Sequence, residues 1–209
     1  MQYDEDGQPM LDLDSDAASW DEAGDCLLMD GVPFDGWAYE NDEDGKLYNR
    51  AQYVRGYASG LLELYYGNGQ LMRRNGGFDH GVPYAIHRAW AENGQLILEE
   101  MNRGTIRVPA YQKEWSESGV LLYAYQSPAT FQSYKHGLET SWHEDGQLKE
   151  RKAWDLGICT HHEAWSPDGQ LTLGIQLTPE HTDYALLQAR KEKELEMLRA
   201  YGPLPEMEF

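Results

Sequence analysis

The chain has 209 residues, 36 of them Asp or Glu against 17 Lys or Arg, for a formal charge of −19. That excess disfavours nucleic acid or an anionic membrane as a partner and favours a cationic one. No apolar run approaches the roughly 18 residues of a membrane span, and the first residues lack the basic and apolar regions of a secretory signal. With two cysteines, Cys26 and Cys159, at distant positions, the expectation is a reduced, cytoplasmic protein with no disulfide framework.

The acid is uneven. Residues 1–45 place Asp and Glu in every segment and contain no Lys or Arg. Charge runs usually only keep a surface solvated; the functional reading is a field that steers a basic protein towards the chain. Within this stretch Asp12-Leu-Asp14-Ser-Asp16 opens like a calcium loop, but Ala17 and Ala23 stand where its glycine and terminal glutamate belong.

A short phrase then returns along most of the sequence. Its clearest copies are Tyr65-Tyr-Gly-Asn-Gly69-Gln-Leu71, Trp90 to Leu96, Trp115 to Leu121, Trp142 to Leu148 and Trp165 to Leu171. Looser copies centre on Gly7, Gly24 and Gly45, where Tyr39 is displaced by two residues. The spacing, near 24 residues, is too short for a helical-pair repeat, and each interval fits two strands and two turns. The second turns also carry glycine, as in Tyr53 to Gly56, Phe78 to Gly81, Tyr134 to Gly137 and Trp154 to Gly157. Extra chain at 125–130 reads as a longer loop.

The phrase constrains its own turn. A two-residue loop on Asn68-Gly69 would put Tyr65 and Leu71 on opposite faces; a type I turn closed by a left-handed glycine pairs them across the hairpin. Pro167 suits the first central position of such a turn. The expectation is therefore no positive φ at Asn93 or Asp168. It follows that Tyr65 and the four phrase tryptophans share one face with their leucines. Gln70, Gln95, Gln147, Gln170, Ser116, His143 and Ser166 would line a more polar face. Twist would curl such a meander into a trough.

After Leu177 the pattern changes. Thr178-Pro179-Glu180 reads as a helix start, Gly202-Pro203 as its stop, with Tyr184, Leu187, Lys191, Leu195 and Leu198 along one face. The domain expectation is a β-repeat array over 1–177, of about eight units with degenerate ends, and a helix with tail over 178–209. The helix would cap the array.

Catalytic and cofactor chemistry is not visible. Cys159-Thr-His161-His162 is the densest ligand-like cluster, but alternation would split it, Cys159 with His161 and His162 opposite, and no second cluster accompanies it. No phosphate-cradling loop or nucleophile motif occurs. The expectation is a non-enzyme without cofactor or metal.

The phrases at Tyr65–Leu71 and Trp142–Leu148, with Asp30-Gly-Val-Pro-Phe-Asp-Gly36 followed by Trp37-Ala-Tyr39-Glu40, resemble the MORN-repeat variant of YwqK-type bacterial antitoxin proteins, over roughly residues 20–175. The Gly119 and Gly169 copies depart at the second turn. The resemblance implies a mostly β fold, an elongated antiparallel β-hairpin repeat array with a C-terminal capping α-helix, and no catalytic residues. It also implies an immunity or antitoxin protein for a cognate toxin. The acidity suits a basic toxin, such as a nuclease. The alternative is a general MORN-repeat interaction scaffold, one version of it membrane-associated, although the chain offers few basic patches for a membrane. The partner-binding expectation falls on Asp35, Trp37, Tyr39, Glu40, Asp42, Glu43 and Asp44, where aromatic anchors sit beside charge.

Overall fold

The structure, a computed structural model, describes residues 2–76, 78–79, 82–83, 86–102, 109–128 and 134–203. The chain forms two compact units, residues 1–99 and 100–209.

The first unit contains β1 (Gln2–Tyr3), β2 (Pro9–Asp12), β3 (Ala18–Trp20), β4 (Leu27–Met29), β5 (Val32–Pro33), β6 (Gly36–Asn41), β7 (Leu47–Val54), β8 (Tyr57–Tyr65), β9 (Leu71–Asn75), β10 (Phe78–Asp79), β11 (Val82–Pro83) and β12 (Ile86–Trp90). Next comes β13 (Leu96–Met101), which holds the boundary between the units. The main sheet of this unit runs β1-β2-β6-β7-β8-β9-β12. The second unit contains β14 (Tyr111–Trp115), β15 (Leu121–Gln126), β16 (Gly137–Trp142), β17 (Leu148–Asp155), β18 (Ile158–Trp165), β19 (Leu171–Gln176) and α1 (Thr182–Tyr201), with β14 to β19 hydrogen-bonded in chain order. This is the mostly β, antiparallel hairpin meander with one C-terminal helix that the repeats imply.

The phrase turns have the expected type. The amide of Gly69 donates to Tyr66 O at 2.8 Å and that of Tyr66 to Gln70 O at 2.9 Å, and the same pair of bonds recurs in the Gly146 and Gly169 turns. The closing glycines 69, 94, 119, 146 and 169 have φ between 81° and 88°, while neither Asn93 nor Asp168 has a positive φ. Tyr65 faces Leu71, Trp115 faces Leu121, Trp142 faces Leu148 and Trp165 faces Leu171.

The faces differ from expectation. Directly after each of these pairs the register slips by one residue, at Leu64/Tyr65, Glu114/Trp115, Ser141/Trp142 and Ala164/Trp165. A bulge on the leucine strand re-aims the residues that follow it. The aromatic face thereby gains charge: the Arg50 guanidinium lies 4.6 Å over Trp37 and that of Arg151 lies 5.9 Å over Trp165. Two residues directly after the aromatic, Tyr66 and His143, reach the next repeat. The Tyr66 hydroxyl donates to Trp90 O at 3.0 Å and His143 Nε2 lies 3.2 Å from Trp165 O, so they clasp the next repeat.

The second turns are of another kind. Arg55-Gly56 and Leu156-Gly157 both have positive φ at both residues (51° and 80°, 47° and 80°), the two-residue mirror turn of tight hairpins. The Phe78–Gly81 turn lies partly outside the described residues, as does the loop expected at 125–130, of which Gln126 still belongs to β15.

The ends depart most. The Gly24 copy leaves the main sheet: β3, β4 and β5 form a small sheet of their own, and β2 then joins β6 in parallel, with Met10 opposite Trp37. Leu11, Leu27, Phe34 and Ala38 form a buried cluster there. The helix begins at Thr182 with His181 as its N-cap, three residues after the N-cap expected at Thr178, because the Thr178–Glu180 segment closes as a turn, with the His181 amide on Thr178 O at 3.0 Å. Leu187 packs on Leu156 and Ile158, Arg190 donates to Leu156 O at 2.7 Å, and Lys191 pairs with Asp155 at 2.7 Å. What α1 covers is therefore the β17–β18 turn. The terminal strand β19 is exposed along its whole length, and Leu195 and Leu198 also stay exposed.

Candidate interaction surface

The seven residues singled out in the sequence do not share one surface. Trp37 and Tyr39 alternate onto the aromatic face of β6, but Trp37 is only 7% exposed, beneath Arg50. Tyr39 is half-buried, and burial together with the nearby Asp12 raises its hydroxyl pKa. Glu40 points to the opposite face, where Asn49 donates to it at 2.5 Å. Asp42 holds the β6–β7 turn, accepting from the amides of Asp44 at 3.0 Å and Lys46 at 2.9 Å, while Glu43 and Asp44 are exposed on that turn. Asp35, at the other end of β6, accepts from the Arg55 amide at 2.8 Å. Strand alternation and strand length separate them. Only Asp35 and Trp37 meet, around a cavity of about 230 Å³ that Gln8, Gly36, Gln52, Tyr53, Val54 and Ser59 complete.

Part of the acid is turn chemistry. Asp4 and Asp21 accept main-chain amides as Asp42 does, and Asn68, Asn93 and Asp145 cap the amide two residues on in later turns. A short side-chain acceptor is what such a turn requires; a charge is not. Yet residues 1–45 use Asp for it, and 15 carboxylates accumulate there without a cation. Ten of them, including Glu5, Asp6, Asp14, Asp16, Glu22 and Asp25, are exposed. Two-thirds of the local charge thus faces solvent.

Sequence reasoning missed a charged ladder on the aromatic face. Glu63 is 1% exposed and bridges Arg50 and Arg74, each at 2.6 Å, with the Tyr65 hydroxyl donating at 2.7 Å. Burial pushes the Glu63 carboxyl up, but the Tyr65 hydroxyl and the two guanidiniums outweigh it and hold the pKa below the ordinary value. Burial and that same bond push the Tyr65 hydroxyl up to about 12. Arg88 with Glu99, and Arg151 with Glu163, repeat the motif at 2.7 Å. The signal was present: these residues stand three after the leucine or two before the aromatic. It is legible only once the bulge is known.

On the opposite face of the second unit, Lys135 lies 5.0 Å from the Tyr125 ring and 4.9 Å from the Trp154 ring. Its ammonium pairs with Glu139 at 2.5 Å, and Trp154 Nε1 donates to the same carboxylate at 2.5 Å. The Cys159 cluster is divided, though not as expected. A register slip at Ala153/Trp154 sets Cys159 opposite Trp154, the face that carries His162 and Glu150, while His161 faces Glu163 and Gln176. Among the described residues no group of three or more His, Cys, Asp or Glu is placed to hold a metal ion, and no helix is long and apolar enough to cross a membrane.

Residues 135–152, the Lys135 segment with β16 and the start of β17, match the MORN repeat variant family. A MORN repeat suggests a protein-interaction scaffold. No curated protein matches the chain.

Proposed function

We propose that this chain is a non-enzymatic immunity or antitoxin protein that binds and neutralises a cognate, basic bacterial toxin in the cytoplasm by direct contact. One observation carries the reading: 15 carboxylates and no Lys or Arg in residues 1–45, ten of them exposed. Such a field attracts a cationic protein over a Debye length and raises its association rate by roughly 10- to 1000-fold at low salt. The cavity lined by Asp35 and Trp37 offers that partner the exposed Asp35 carboxylate, and exposed Glu43 and Asp44 offer further charge. The MORN repeat supports the broader statement, an interaction protein.

The experiment is co-expression with the product of the adjacent gene. Growth arrest by that product alone, relieved by this chain, is the expected result. The purified pair should form a complex whose association rate falls steeply as salt is raised. A complex indifferent to salt would remove the electrostatic basis, and no relief of toxicity would overturn the immunity assignment. Binding to anionic vesicles in a flotation assay would favour a membrane-tethering scaffold instead.

A further inference from the structure

Half of the exposed large apolar side chains lie at the other end of the chain from its acid. Among the described residues, seven of the fourteen exposed large hydrophobic side chains fall between Leu171 and Tyr201: three on β19 and four on α1. Residues 171–203 have a net charge of −1, against −15 for residues 1–45. The strand itself, Leu171-Thr-Leu-Gly-Ile-Gln176, holds no charged residue and no proline. Leu171 is 58% and Ile175 47% exposed, and among the described residues β18 alone is hydrogen-bonded to β19 in the sheet.

Natural sheets protect their edges with charge, proline or brevity. The first strand is protected in that way: β1 has two residues and runs into Asp4-Glu5-Asp6. Nothing comparable protects β19, and α1 packs on the β17–β18 turn rather than along it.

We propose that β19 is a self-association edge, pairing antiparallel with β19 of a second copy in a two-fold dimer. Charge selects this occupant. A second copy brings a further −19, so two copies tolerate contact only where neither carries that excess, and this edge is such a place. A basic partner finds no carboxylate on the strand to pair with. An antiparallel strand pair between identical edges is also self-complementary, which a two-fold interface requires. A six-residue pairing is small beside the roughly 1,200–2,000 Å² of stable interfaces, so the dimer is a weak one. The inference is independent of the immunity reading.

Sedimentation velocity of the full chain, from low to high micromolar concentration, tests it. The expected result is a monomer–dimer equilibrium that strengthens with salt, because screening relieves the repulsion between two acidic copies; binding of a basic toxin should respond to salt in the opposite direction. The double variant L173K/I175K, which alters exposed positions, should weaken the dimer at least tenfold, and Tyr48→Lys, an exposed site in the first unit, should not. Circular dichroism checks that each variant is folded. In the unmodified chain, amide hydrogen exchange within β19 should slow as concentration rises, a readout that needs no variant. A monomer at every concentration and salt, or a dimer untouched by L173K/I175K, overturns the proposal. A chain ending at Pro203 that dimerises while the full chain does not would identify residues 204–209 as the occupant, and loss of toxin binding by L173K/I175K in a monomeric chain would identify a toxin strand; either result also overturns it.

Discussion

The first unit gathers its hydrophobic centre by folding a small sheet inwards, and the second does so by laying a helix across a turn. In the first, the Leu27 amide donates to Gly56 O at 2.7 Å and the Gly56 amide to Phe34 O at 2.8 Å. In the second, Arg190 donates to Leu156 O and the Gly157 amide to Lys135 O, both at 2.7 Å. What is covered is the same in both, the mirror turn at the far end of a long hairpin. A single-layer meander buries little by itself, so stability concentrates where a second element lands on it. The recurring phrase at the near end shapes the sheet; the far turns anchor it.

The largest expected effect tests the first anchor. Leu27 is fully buried, and Leu27→Ala should cost about 2–5 kcal/mol in urea unfolding. A cost under about 1 kcal/mol would mean that the small sheet is decoration. Leu187→Ala, at a site 3% exposed, should cost about 2–3 kcal/mol and reduce the helical signal in circular dichroism, which the Leu27 variant should leave in place. Leu156 sharpens the contrast, since its φ of 47° is costly for a leucine while its side chain is buried. Leu156→Gly should relieve about 1 kcal/mol of backbone strain and lose about 2 of burial, a net cost near 1.

The charged ladder ranks next. Glu63→Gln should cost about 1–2 kcal/mol, since its carboxylate is buried but the side chains of Arg50 and Arg74 are 28% and 44% exposed and keep part of their hydration. Its folded pKa lies below the unfolded one. The contribution is therefore present in full above the ordinary glutamate range and is lost as pH falls through the lower, folded value. Urea titrations of wild type and Glu63→Gln should converge in acid; equal pH profiles at all values would show that Glu63 gains nothing from its partners. The smallest effect belongs to the phrase turns. A Cβ on Gly146 meets nothing within 4 Å, so Gly146→Ala should cost only the left-handed backbone term, about 1 kcal/mol by thermal melting.

The turn type, the Tyr65–Leu71 pairing and the C-terminal helix were legible because they are local: a glycine of positive φ, a proline and a helix stop act over a few residues. The faces were not. One residue of slip after each leucine reverses every side chain beyond it, and no residue type announces that slip. The departure of the Gly24 copy was equally hidden, because Trp20 to Gly24 satisfies the hairpin rule without specifying which sheet receives the hairpin. For the interaction surface, charge was readable as an amount and a location along the chain. Its division among Asp35, Glu40 and the Asp42–Asp44 turn depends on strand alternation and is fixed only in the folded sheet.

The clasps that run from Tyr66 to the Trp90 carbonyl and from His143 to the Trp165 carbonyl ask little of the neighbour they grip. A main-chain oxygen is supplied by any residue, so the following hairpin is recognised by its position and not by its identity. Lineages that gain or lose a whole repeat would keep every clasp engaged, and length in such a chain can drift without redesign. The two mirror-turn anchors have no such freedom. Evolution can add repeats to the chain more easily than it can move either anchor.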